Sequence, residues 1–172
     1  MNNLKILIIS ILLLTLGCSK DDSDVSLSEF EIPIITGYEL RTIQGQKISN
    51  YGIPNIKLGN ESNNYDSEYF FISYPNPCKN RCSVYIKSPD TNTTKYVWIV
   101  QAQYRDYNSN ISTELGSNIM HVGGVPLIET ETTYENISFD VSSLSEGYYR
   151  IYLKIDDLIL YDNLVITNNI NL

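Results

Sequence analysis

Three cysteines, one histidine and a close group of aspartates are the side chains in this 172-residue chain that could do chemistry. Cys78 and Cys82 sit in "PCKNRCS", a C-x3-C spacing. In an oxidising compartment that spacing favours a disulfide closing a tight loop, with two free thiols as the alternative. A zinc site would need two further ligands, and the single histidine, His121, is far off in sequence. A redox dithiol would rather be C-x-x-C at a helix start. His121 lies in "NIMHVGG" with no G-x-S-x-G nucleophile motif, and reads as a packing or surface residue. Asp156, Asp157 and Asp162 fall on a hairpin turn and a strand face, not on a paired-carboxylate acid/base site. They also lack the D-x-D-x-D-G order of a calcium loop. Gly123-Gly124-Val125-Pro126 precedes no helix, so no phosphate cradle is expected. The expectation is a chain without catalytic centre, metal or cofactor.

The third cysteine has different surroundings. Lys5 provides a short basic region, and Ile6 to Leu16 is apolar apart from Ser10 and Thr15. That run is too short to span a bilayer but suits the hydrophobic region of a signal peptide. Gly17-Cys18 follows at once. The segment resembles a bacterial lipoprotein signal, which implies cleavage after Gly17 and acylation of the Cys18 thiol. The next residues, Ser19-Lys20-Asp21-Asp22-Ser23-Asp24, resemble the export signal of surface-exposed lipoproteins of Bacteroidetes-type bacteria. The resemblance gives Lys20, Asp21 and Asp22 a role in reaching the cell surface, and places the protein at the outer membrane. Two or three acyl chains would hold it there, since one alone binds marginally.

Removal of residues 1 to 17 would leave 155 residues with 11 basic and 20 acidic side chains, net −9. Such a balance speaks against nucleic acid and against a basic membrane-binding patch. Contact with the bilayer is then expected through lipid alone.

From Phe30 onward no stretch repeats apolar residues at helical spacing. Strand formers are punctuated by Gly, Pro and Asn-Ser clusters. "CSVYIKS" alternates, with Cys82, Val84 and Ile86 on one face. "YVWIVQAQY" sets Trp98, Val100 and Ala102 opposite Val97 and Ile99, and Trp98 is expected in the core. In "GYYRIYLKI" the pattern puts Tyr149, Ile151, Leu153 and Ile155 inward and Tyr148, Arg150, Tyr152 and Lys154 outward. Asp156-Asp157 and Gln44-Gly45 read as hairpin turns. Eight or nine strands between Phe30 and Thr167 suit a single immunoglobulin-like or fibronectin-like antiparallel β-sandwich over residues 28–172, after a flexible acidic tether over 18–27.

"ISYPNP" and the closing "LSEGYYRIYLKIDDLILYDNLVI" carry one further likeness. Tyr74-Pro75-Asn76-Pro77 ahead of a hairpin, with Leu144, Gly147 and Tyr149 in an L-x-x-G-x-Y pattern, resembles the type A C-terminal sorting domain of the type IX secretion system. The likeness covers residues 72–172 and implies a β-sandwich from the same bacterial group. The chain departs from that family in its lipoprotein-like leader, in lacking a large cargo ahead of Tyr74, and in its end, "TNNINL". The sorting role is therefore not carried over. The two prolines, each lacking a donor, are expected at the start of a strand or on a sheet edge.

Tyrosine is the unusual count, at 14 residues. Strands favour tyrosine, but exposed tyrosines also make contact surfaces at low entropic cost. Tyr148 and Tyr152, two apart on an outward face, are the expected patch. The composite expectation is a lipid-anchored surface module that binds an envelope protein. The alternatives are a small carbohydrate-binding lipoprotein that takes up glycan, or a type IX sorting-domain protein.

Overall fold

A computed structural model describes residues 32–107 and 122–169. The chain is all-β, and no helix occurs among the described residues. Eleven strands are seen there: β1 (Ile34–Ile35), β2 (Gly37–Arg41), β3 (Lys47–Gly52), β4 (Phe70–Tyr74), β5 (Arg81–Lys87), β6 (Lys95–Gln101), β7 (Gln103–Tyr104), β8 (Pro126–Thr132), β9 (Asn136–Asp140), β10 (Gly147–Ile155) and β11 (Leu158–Ile166).

Two antiparallel sheets make the sandwich. One runs β11-β10-β6-β8 and the other β4-β5-β9. The chain crosses between them at β5–β6, β8–β9 and β9–β10, which is immunoglobulin-type wiring. The core between them is apolar. Phe71, Cys82, Val84, Ile86 and Phe139 of the smaller sheet meet Val97, Ile99, Ile151, Leu153, Leu160 and Leu164 of the larger. Period-two alternation explains this directly, since each strand sends every second side chain inward.

The two hairpins form where the turn residues stand. Asp156 takes a left-handed φ of 51° between Ile155 and its partner Leu158. A short Asp can occupy that region without a glycine. At Gln44-Gly45 the β2–β3 hairpin turns, with the Thr42 amide bonded to the Gln46 carbonyl at 2.9 Å.

β2 and β3 form a separate two-stranded sheet, and β1 pairs in parallel with β7. A buried polar cluster fastens this N-terminal unit to the sandwich. Arg41, 1% exposed, donates to Asp162 Oδ2 and to Glu39 Oε2, both at 2.5 Å, and to the Ser73 carbonyl at 3.0 Å. The same Asp162 oxygen accepts from the Ser73 amide at 2.9 Å and hydroxyl at 2.8 Å. Burial alone would push the Arg41 guanidinium down, but the two carboxylates outweigh it and hold its pKa above the ordinary value.

Asn76 of the "YPNP" segment closes the joint. Its amide donates to the Glu39 carbonyl at 2.9 Å and the Asn163 carbonyl at 2.8 Å, and its side-chain oxygen accepts from the Val165 amide at 3.0 Å. The Arg41 and Asn76 backbones exchange two further bonds. Both X-Pro bonds of the segment, Tyr74-Pro75 and Asn76-Pro77, are cis. The prolines stand just after β4, an edge strand of the smaller sheet, at its end and not its start, where the chain meets β2 and β11.

Three expectations from the alternation are corrected. Tyr152 (1% exposed) and Arg150 (6%) are buried although they point away from the main core. Trp98 is buried as expected, but on that same outer face, in a second cluster with Val100 and Tyr152. The outer face of the large sheet is thus covered over Arg150 and Tyr152, because chain from outside its strands reaches it. Arg150 donates to the Ile34 carbonyl at 3.0 Å and the Asn55 carbonyl at 3.3 Å, and to Asn163 Oδ1 at 3.1 Å. Lys154 is exposed, as the alternation requires.

Candidate functional site

Four tyrosines from four strands meet at one end of the molecule. Tyr38 on β2 and Tyr51 on β3 are directly opposed in register and stack at 5.2 Å, 25° apart. Tyr104 on β7 stacks on Tyr148 of β10 at 5.0 Å and 26°. The two stacks join through Tyr38–Tyr148 at 6.5 Å and Tyr51–Tyr104 at 5.9 Å, closing a ring of four.

Local sequence sets each member. Tyr148 is the outward residue next to inward Tyr149. Tyr104 is fixed by the β1–β7 pairing, which sets Ile35 against it. Gly52 ends β3 beside the ring at a φ of 66°, and a Cβ there would lie 2.5 Å from the Thr36 carbonyl oxygen. Only glycine lets the hairpin come so close to the incoming chain.

Tyr51 is 50% exposed, and Tyr38, Tyr104 and Tyr148 are half-buried. Partial desolvation raises the pKa of Tyr38 and Tyr148. It also pushes Tyr104 up to about 12, helped by the hydrogen bond from its hydroxyl to Asp106 Oδ1 at 3.1 Å. These phenols therefore stay protonated and can both donate and accept. Each two-ring stack covers one face of each of its members. Phenol hydroxyls beside apolar rings make this an amphipathic patch.

A second aromatic row crosses the outer face of the large sheet. Trp98, Tyr152 and Tyr161 occupy one register line on β6, β10 and β11, with Trp98–Tyr152 at 5.1 Å and Tyr152–Tyr161 at 6.0 Å. Tyr96 stacks on Trp98 at 5.0 Å, and Arg150 lies 4.7 Å over Tyr161. Tyr152, expected in a contact patch, belongs to this buried row. Tyr148 does reach a surface cluster. Its companions Tyr38, Tyr51 and Tyr104 were not legible, because their meeting depends on how the N-terminal hairpin docks. The tyrosine count was the only signal.

Cys78 and Cys82 stand as unbridged thiols in this structure, both fully buried in the main core. They are neighbours, and the Cys82 thiol, hydrogen-bonded to Cys78 and shut off from water, is held well above the ordinary cysteine pKa. Cys78 is fixed by backbone bonds to Val165 and Thr167 at the end of β11, while Cys82 faces inward from β5. Each behaves as a small apolar core residue.

Of the motif positions, Tyr74 ends β4, Gly147 opens β10, and Leu144 packs against the main core. Tyr149, 3% exposed, donates its hydroxyl to the Ser145 carbonyl at 2.6 Å. A tyrosine near the start of the penultimate strand bonding back to upstream backbone is a feature of immunoglobulin-type sandwiches. Asp156 and Asp157 form the hairpin turn, and Asp162 pairs with Arg41. Among the described residues no three His, Cys, Asp or Glu side chains are grouped to hold a metal. No helix among them is long and apolar enough to cross a membrane. Cys18, Lys20, Asp21, Asp22 and His121 lie outside the described residues. No known family model and no curated protein matches the chain.

Proposed function

We propose that this protein is a lipid-anchored β-sandwich on the outer surface of a bacterial envelope, serving as a non-catalytic accessory module that binds another envelope protein. The surface tyrosine ring of Tyr38, Tyr51, Tyr104 and Tyr148 is the observation that carries the binding role. Support for the anchor is the apolar run ending at Gly17-Cys18 with its acidic sequel Lys20-Asp21-Asp22. The likeness of residues 72–172 to a type IX sorting domain points to the same bacterial group. On this reading that likeness reflects a shared sandwich, in which Asn76 and Tyr149 have structural work, and not a sorting signal.

Affinity purification from solubilised envelopes tests the role. The protein is expected to retain a partner protein that the Tyr38→Ser/Tyr104→Ser double variant loses, while both keep the same thermal unfolding profile. Retention of polysaccharide and of no protein would turn the reading to glycan capture. Equal recovery of the partner by the variant would remove the ring from the account.

A further inference from the structure

The ends of the sheets are treated differently, and one of them stands out. β11 is covered by bridges from Lys57 to Tyr161 and from Cys78 to Ile166, and β4 by one from Gly59 to Phe70. β8 and β9 are edges too, but β8 carries Glu129 and Glu131 and begins with Pro126, and β9 ends in Asp140. Charges and prolines on an edge discourage pairing with another chain. Among the described residues β3 has a strand neighbour on one side only, and all six of its residues are exposed.

The protection of β3 is confined to its start, where Lys47 and a bulge at Ile48 stand. From Ile48 to Ile56, "ISNYGIPNI", no residue carries a charge, in a chain of formal net charge −8. The flanking charges are Lys47, tied to Glu39 at 2.6 Å, and Lys57, whose backbone is bridged to Tyr161 of β11. Exposed apolar side chains gather here instead: Ile43 is 72% exposed, Ile48 55%, Tyr51 50% and Ile53 54%.

We infer that β3 is a self-association edge, and that its occupant is β3 of a second copy of this chain, joined antiparallel across a two-fold axis. The charge pattern selects the occupant. Two strongly acidic molecules repel each other over most of their surfaces, and here is an edge where they can meet without opposing carboxylates. An isologous contact also needs one self-complementary patch, and an uncharged apolar strand satisfies that. The product is a continuous four-stranded sheet, two β2–β3 hairpins side by side, with two tyrosine rings flanking the junction. The bulge at Ile48, which falls between the pairs Arg41–Lys47 and Leu40–Ser49, limits the paired length to Ser49 through Gly52. This inference does not depend on the partner protein or on the lipid anchor.

Sedimentation equilibrium of the purified full-length protein, with density-matched detergent if lipid is attached, tests it. The expected result is a concentration-dependent rise to twice the monomer mass. Ile48→Glu/Ser49→Glu, which sets carboxylates on an exposed edge outside the tyrosine ring, should stay monomeric with an unchanged unfolding transition. Ser49→Cys should cross-link to itself in intact envelopes, and Glu129→Cys on β8 should not. A monomer at every concentration overturns the inference, and so does a dimer that survives the double glutamate change. Capture of a foreign protein by this edge, with the purified chain monomeric, also overturns it.

Discussion

Arg41 and Asp162 show most plainly how single side chains decide this structure. Both are almost fully buried, and every buried side-chain polar atom among the described residues has a hydrogen-bond partner. Truncating Asp162 would leave the Arg41 guanidinium with Glu39 alone and strand the Ser73 amide and hydroxyl in a dry joint. Asp162→Ala is therefore expected to cost about 3 to 5 kcal/mol in denaturant unfolding. Lys47 pairs with the same cluster through Glu39, but its side chain is 50% exposed. Lys47→Ala should cost under about 1 kcal/mol. Equal losses would mean that the joint is not buried in solution. Neither partner announced itself in the sequence: Asp162 reads as one acid on an alternating strand, and its match is 121 residues away. The cysteines show the same gap from the other side, since C-x3-C spacing is silent on whether the thiols face each other inside a core. In native protein Cys78 and Cys82 should resist a bulky alkylating reagent, and both should react after unfolding. An intact mass two hydrogens short, with neither reacting, would show a bridge.

At the scale of elements, alternation did most of the work and failed in one recognisable place. β5 and the inward half of β10 follow from period two alone, as does the hairpin at Asp156-Asp157. The outward half of β10 was misread because alternation separates two faces but does not say whether both are covered. Arg150 and Tyr152 are buried by segments around Ile34, Asn55 and the Gly123 backbone that lie far from β10 in sequence or outside its sheet. The register itself can be tested with neighbouring tyrosines. Tyr149→Ala should destabilise by about 3 to 5 kcal/mol, the usual cost of truncating a buried aromatic. Tyr149→Phe removes only the bond to Ser145 and should cost about 0.5 to 1.5 kcal/mol. Tyr148→Ala, at a half-exposed ring member, should cost clearly less than Tyr149→Ala. Similar losses for the two alanine variants would contradict the inward and outward assignment.

For the whole molecule, the sandwich class was legible because strand patterning and turn chemistry agree over most of the chain. The docking of the β2–β3 hairpin was not, and the tyrosine ring depends on it. The expectation of a single sandwich over residues 28–172 includes "GYELRTIQGQKISNYGIPN". That stretch forms instead a small sheet of its own, clamped by Asn76 and Arg41. The proposed anchor, Cys18, lies outside the described residues. Cys18→Ala should move the protein from the membrane fraction to the soluble one, and continued membrane association would remove the lipid anchor.

The claim at the centre of the account is that the tyrosine ring touches another protein. Placing a photo-cross-linking amino acid at Tyr104 in living cells, with a control at Tyr134, tests it most directly. Tyr134 is 75% exposed in the β8–β9 turn, at the opposite end of β6 from the ring. The account predicts a discrete adduct with a second, different protein from position 104 and none from position 134. No adduct at 104, or the same adducts from both positions, would contradict it.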